Sequence, residues 1–394
     1  MHLHHSYYQC AFDIIGLHPV GKPLPHTLKA YFSSRKKFGS RDRRLISGLV
    51  YAYYRCADLL QDHDATKEEK MAIAFFICNQ HHEALVALHR PDLAPAMTNE
   101  IPEKLKMVSL DESAVFKNRQ WLSPEIDASA FAYSLLIQPA LFIRIRPGKK
   151  IAVQDQLMAS GLTWKQITET CLQLPVGTSL DQILMLNRDV VVQDRNSQRV
   201  LDGLDKYRPD WRTNPNAKRV WDTCAASGGK SILVFDHFNG NIQLTASDIR
   251  ESILANYRKR INQANIRPLA ILQQDLQQRS GLLPSALFDL IICDVPCSGS
   301  GTWSRSPEQI GAFSAVALHQ VQAAQQAIVS TAITHLADKG LLVYITCSVF
   351  SAENEEQVEH LEKTQPIRCL EQTYWKGYDQ QADTLFVALF EKRG

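Results

Sequence analysis

The stretch Phe288-Asp-Leu-Ile-Ile-Cys-Asp-Val-Pro-Cys-Ser-Gly-Ser-Gly301 reads as a buried strand that ends on an acid and opens into a small-residue loop carrying a thiol. Leu341-Leu-Val-Tyr-Ile-Thr-Cys-Ser348 has the same design: an apolar run too short for a helix, then a cysteine. Open α/β sheets bind their ligands beyond the carboxyl ends of the strands. Cys297 and Cys347 are therefore candidates for a single shared site.

Working outward, apolar runs recur at 219–223, 243–247, 269–272 and 385–390, separated by polar or amphipathic segments. The longest of those segments is 315–337, where Leu318, Val321, Ala324, Ile328, Ala332 and Leu336 keep helical spacing. Strands alternating with helices predict a parallel, doubly wound, Rossmann-like sheet covered on both faces, over residues 201–394.

Cys224-Ala-Ala-Ser-Gly-Gly-Lys230 follows the first of these strands and turns into a helix. Small residues let backbone approach a ligand, and helix amides attract polar or negative groups. The turn is neither a Gly-x-Gly-x-x-Gly fingerprint nor a phosphate loop. Asp248 closes the next strand, where an acid can hold ribose hydroxyls. With Asp222, Asp275 and Asp294, four consecutive strands each deliver an acid to one edge. Each alone is explained by capping of the next helix. Together they suit adenosine with a charged amino-acid tail.

The rest of the chain divides differently. Residues 1–90 read as a helical domain, 91–120 as a linker broken by Pro91, Pro95 and Pro102, and 121–200 as a small α+β domain. In that last region Ala140–Arg146 alternates as a strand and a helix follows near 152–160. At 394 residues with 45% hydrophobic and 21% charged, the chain suits two or three folded domains. Net charge is only +2, but residues 1–60 hold nine Lys or Arg against three acids, which favours a polyanionic partner or a solvated helical face. No signal peptide or bilayer-length apolar run is visible. Nine cysteines without a repeating framework suit reduced thiols in a cytoplasmic protein. Cys293-x-x-x-Cys297 has no second pair nearby, so no metal site is expected.

These motifs resemble the RNA cytosine-C5 methyltransferases of the Nol1/Nop2/Sun family. The resemblance rests on Asp294-Val-Pro-Cys-Ser-Gly-Ser-Gly-Thr302 with Pro307-Glu308, Thr346-Cys-Ser348 with Glu353-Asn354-Glu355, and the turn Cys224–Lys230. It covers nearly all of the chain from about Val192. Three departures stand out: Ser227 replaces the usual proline, Trp303-Ser304 stands where basic residues commonly occur, and a glycine pair is missing before the last strand. More loosely, 41–55 is similar to the NusB-like antitermination domain of Sun-type members, and 121–200 to the family's small RNA-recognition-like domain.

The resemblance implies S-adenosylmethionine as cofactor, held by Cys224, Ala225, Ala226, Ser227, Gly228, Gly229, Lys230, Asp248, Asp275 and Asp294. Cys347 would add to C6 of cytosine, Asp294 would bond to ring N3, and Cys297 would assist release of product. It implies a monomer acting on single-stranded or looped RNA, small-subunit (16S) rRNA above others, with no membrane or DNA partner. Alternatives are another RNA such as tRNA, or an RNA-binding ribosome-assembly factor with lapsed catalysis. Taken singly, either thiol is as readily a buried packing cysteine.

Overall fold

A computed structural model describes residues 2–278 and 286–393 and divides the chain into two compact units. One contains residues up to Gln138 together with Thr302–Ser314; the other contains Pro139–Gly301 and the chain from Ala315 onward.

The first unit is helical: α1 (His2–Leu17), α2 (Leu24–Ser33), α3 (Ser40–Cys56), α4 (Lys67–Cys78), α5 (Glu83–Ala87), α6 (Ile101–Met107) and α7 (Ala128–Leu135). Apolar stripes on α1, α3 and α4 meet in its core, among them Tyr8, Ile14, Ile46, Leu49, Ile73 and Phe76. Thr66 and Glu69 form a capping box at the start of α4. Residues 91–120 differ from the expected linker, since Leu93, Met97, Leu105, Val108, Val115 and Phe116 are all buried. Pro95 and Pro102 sit in the first turns of short helices, where a missing N–H costs nothing. They start structure there rather than interrupting it.

Thr302–Ser314 supplies the second surprise. Trp303 is 2% exposed and packs on Phe116 and Phe313, which accounts for an aromatic where basic residues were expected. The buried Arg55 donates to the Ser304 carbonyl at 2.7 Å, and the Leu24 amide donates to Glu308 at 3.0 Å.

The second unit holds two sheets. A small antiparallel sheet has the order β2 (Lys165–Gln166), β3 (Cys171–Leu174), β1 (Leu141–Ile145), β4 (Val190–Val192). Helix α8 (Lys150–Ala159) packs Val153 and Leu157 onto Ile143, Ile145 and Leu172. The short helix α9 (Leu204–Tyr207) follows this sheet in the chain.

The large sheet has seven strands: β5 (Lys218–Asp222), β6 (Ile242–Asp248), β7 (Ala270–Gln273), β8 (Phe288–Asp294), β9 (Leu336–Thr346), β10 (Ile367–Trp375) and β11 (Leu385–Lys392). Their order is β10-β11-β9-β8-β5-β6-β7. Its helices are α10 (Gly229–His237), α11 (Glu251–Gln263), α12 (Ala315–Ile333) and α13 (Glu355–Thr364). Alternate residues along each strand feed two cores. On one face Leu290, Ile292, Leu341 and Val343 pack with Ile232, Leu254 and Tyr257. On the other, Ile291, Cys293, Leu342 and Tyr344 pack with Ile328, Ala332, Val358 and Leu361. Each such aliphatic side chain contributes roughly 1.5–3 kcal/mol of burial.

The expected all-parallel sheet needs correction. β5 to β9 are parallel, but β11 runs antiparallel to both β9 and β10. The strand Ile367–Trp375 escaped notice because its burial does not alternate and its composition is mixed. A short connection from β10 to β11 then makes an antiparallel pair, as a parallel one would need a longer crossover.

Asp236 on α10 joins the small sheet to this framework. Arg144 Nη1 lies 2.7 Å and Arg146 Nη2 lies 2.8 Å from its two oxygens; Arg144 and Asp236 are buried and Arg146 is partly buried.

Candidate active site

Strand order explains why the candidate residues gather. The sheet reverses direction of growth between β5 and β8, which opens a crevice at their carboxyl ends. Read across that edge, neighbouring strands carry Cys347 after β9, Asp294 on β8, Asp222 on β5, Asp248 on β6 and Asp275 just past β7. Lys230 opens α10 and crosses the crevice, with its Nζ 2.7 Å from Asp294 Oδ2.

The glycine turn is built around two left-handed residues, Ala226 at φ 45° and Gly228 at φ 88°. A Cβ on Gly228 would sit 3.0 Å from the Tyr257 ring, so only glycine allows α11 to pack this close. Ala225 N donates to Ser247 O, and Ala226 N donates to Asp248 Oδ2 at 3.1 Å. Arg260 Nη1 donates to Ser227 Oγ at 2.8 Å, so the side chain standing for proline is held by a hydrogen bond. Gly229 begins α10. Cys224 instead packs against the core beneath α12 and α13, where burial pushes its thiol up.

The four acids are not equivalent. Asp222 is fully buried; Ser231 Oγ donates to its Oδ2 at 2.6 Å, while its Oδ1 has no partner among the described residues. Burial pushes Asp222 up to about 7. Asp248 accepts from Ala226 N and from Arg250 N, Nε and Nη2, which occupies both oxygens. Arg250, whose side chain is 59% exposed, must swing away before Asp248 can hold a ribose. Asp275 is half-buried and accepts from Gln277 N. The orphan Asp222 oxygen, the Gly228 cradle and these carboxylates fit S-adenosylmethionine, whose ribose hydroxyls and ammonium group are all donors.

The structure brings the two thiols together: Cys297 Sγ and Cys347 Sγ are 3.2 Å apart, both half-buried. Burial opposes the charge on Lys230, but Asp294 and then Cys347 hold its ammonium above the ordinary lysine value. For Cys297 the direction is also upward, through its hydrogen bond with Cys347, burial, and the charges of Cys347 and Glu353. Cys293 points into the core and is pushed up to about 12 by burial.

Gly301 closes the thiol loop. Its N–H donates to Cys347 O at 2.8 Å, its carbonyl accepts from Thr384 N, and an added Cβ would collide with Thr384 O.

Sequence reasoning gave no role to Glu353, which is fully buried beside the thiols. Ser298 N, Ser298 Oγ, Ser348 Oγ and Gln325 Nε2 all donate to it. Asn354 accepts from Thr346 Oγ1 and donates to Ser348 O, fixing the backbone on both sides of Cys347. The spacing Thr-Cys-Ser followed by Glu-Asn was the only signal.

Similar folds occur among solved structures. PH0851 superposes with TM-score 0.72 over 94% of this chain and 95% of its own, at 15% identity. NSun6 from Pyrococcus horikoshii, solved with SFG, gives 0.60 over 72% and 97%, at 13% identity. A methyltransferase homologue from Pyrococcus horikoshii gives 0.56 over 74% and 98%, at 19% identity. These likenesses show a shared fold.

Sequence similarity covers part of the chain. Residues 212–387 match the family model described as 16S rRNA methyltransferase RsmB/F. Ribosomal RNA small subunit methyltransferase F of Escherichia coli is 30% identical over 149 residues, 38% of this chain and 31% of that protein. A probable ribosomal RNA small subunit methyltransferase B of Synechocystis is 30% identical over 231 residues, 56% of this chain and 49% of that protein. The aligned regions thus span only about a third to a half of these relatives.

Proposed function

We propose that this protein methylates C5 of a cytosine in RNA, small-subunit rRNA first among candidates, through a transient bond between Cys347 and C6. The observation that carries this reading is the pair of thiols 3.2 Å apart beside the Lys230–Asp294 ion pair.

C5 of cytosine is a poor nucleophile. A thiolate adding at C6 turns C5 into an enamine-like carbon, and sulfur is also an adequate leaving group. Cys347 makes that S–C6 bond, with the Lys230 ammonium supporting the thiolate. As the ring double bond shifts, N3 takes a hydrogen bond and proton from the Asp294–Lys230 pair. S-adenosylmethionine, when bound along the edge from Gly228 to Asp248, supplies the electrophilic methyl group. Water then takes the C5 proton, N3 returns its proton to the Asp294–Lys230 pair, and the S–C6 bond breaks with its electron pair returning to Cys347, a release that Cys297 assists.

The ring must be reached on its face, which favours looped or single-stranded RNA. The basic helical unit, read as NusB-like, and the small sheet, read as RNA-recognition-like, would hold that RNA in a monomeric cytoplasmic enzyme. Among the described residues no helix is long and apolar enough to cross a membrane. Bisulfite sequencing of rRNA and tRNA from a deletion strain tests the reading. One cytosine should lose its methyl group; a pattern identical to the parent strain overturns the proposal.

A further inference from the structure

Glu353 lies where both thiol loops can be controlled at once. It is 0% exposed, and its four donors come from the residue after Cys297, the residue after Cys347, and α12. Oε1 accepts from Ser298 N at 2.7 Å and Gln325 Nε2 at 3.1 Å; Oε2 accepts from Ser298 Oγ at 2.5 Å and Ser348 Oγ at 2.5 Å. Burial pushes the Glu353 carboxyl up while its four hydrogen bonds pull the other way; four donors on two oxygens suit an ionised carboxylate, which only accepts. Behind it, Tyr344 OH donates to the Glu353 carbonyl at 2.7 Å and lies 3.1 Å from Gln325 Oε1, which anchors the Glu353 backbone beside Gln325.

Glu353 touches the residue after each cysteine, but the charges acting on the two sulfurs differ. Cys297 is next to Ser298 and feels Glu353, whereas Cys347 couples to the Lys230 ammonium. A negative charge nearby disfavours a thiolate and a positive one favours it. At 3.2 Å the sulfurs sit at the spacing of one shared proton.

We propose that Glu353 is a positioning residue that also acts through its charge. It locks the Cys297 and Cys347 loops together and keeps their shared proton on Cys297, leaving Cys347 as the thiolate. The inference rests on the methyl-transfer reading for its purpose, but the thiol bias itself exists without RNA or methyl donor. It explains how two cysteines in contact take different roles. A carboxylate that served only to fold the loop could be replaced by the isosteric amide. Glutamine can accept from Ser298 N and Gln325 with its oxygen and donate to the two hydroxyls, which rotate to accept.

The test measures alkylation of the full-length protein by iodoacetamide, with each thiol's rate read by peptide mass spectrometry. In the native protein Cys347 should react faster than Cys297. Glu353→Gln should raise the Cys297 rate about tenfold, the equivalent of one unit in its acidity. An unchanged ratio of the two rates in Glu353→Gln, or faster native reaction at Cys297, overturns the proposal. Should that variant fail to fold, the native pH profiles decide. Lys230, Glu353 and Tyr344 are titratable groups that act on the pair, and alkylation of Cys297 should set in only above the ordinary thiol range; onset at or below that range overturns the idea. Methyl transfer by Glu353→Gln should also show kcat reduced about tenfold with KM for RNA unchanged. A native protein that shows the thiol bias yet methylates no RNA would refute the methyl-transfer reading and leave the bias standing.

Discussion

Lys230 Nζ stands 2.7 Å from Asp294 Oδ2, joining the first turn of α10 to the end of β8 across the crevice between β5 and β8. Asp294→Asn removes the charge that keeps the Lys230 proton in place and weakens the donor to N3. Methyl incorporation into RNA should drop about 100- to 1,000-fold, with the affinity for S-adenosylmethionine, measured by calorimetry, changed far less. Equal losses in both would show that the pair serves cofactor binding rather than the pyrimidine ring.

The two thiols should fail differently. Cys347→Ser cannot add to C6 and should abolish labelling of RNA from radioactive methyl donor. Cys297→Ala leaves addition intact but removes the group that assists release, so protein bonded to RNA should accumulate as a slow band on denaturing gels. A Cys297→Ala protein that turns over normally and shows no such band would contradict the division of roles.

Gly301 leaves no room for a side chain, with its Cβ position overlapping Thr384 O and 3.1 Å from Cys347 O. Gly301→Ala must push backbone apart and should cost about 3 kcal/mol in a urea titration. Activity should fall further than stability, because the Gly301 amide that would move with the displaced Thr384 carbonyl is hydrogen-bonded to Cys347 O.

Asp222 gives a pH signature. Its folded value of about 7 is raised above the ordinary 3.8 by burial, so the folded state binds its proton more tightly than the unfolded one. Its contribution to stability is present below about pH 4 and is lost as pH rises through about 7. Urea midpoints at about pH 5 and about pH 8 should therefore fall more for the native protein than for Asp222→Asn, by an amount on the order of 1–3 kcal/mol. A native protein no more pH-sensitive than the variant would show that Asp222 is ionised throughout.

Asp236 holds Arg144 and Arg146 at 2.7 and 2.8 Å with 6% of its side chain exposed. Asp236→Ala strands the buried Arg144 and the partly buried Arg146 and should cost about 3–5 kcal/mol, read as a fall in thermal midpoint. Replacing all three with apolar residues should recover much of that loss.

What the sequence determined by itself was local and periodic. Apolar runs that end in Asp222, Asp248, Asp294 and Thr346-Cys347 named the strands and their loaded ends, because alternation and turn chemistry are properties of neighbouring residues. The small-residue turn 224–230 and the loop 297–301 were legible for the same reason. Only the tertiary structure decided strand order, which set Cys347 and Asp294 side by side and made β11 antiparallel. Only it could show that Glu353 reaches Ser298, fifty-five positions away, or that 302–314 packs with the helical unit. Those facts depend on which distant surfaces bury one another. Burial is a pairing between parts of the chain, and no single stretch of residues carries it.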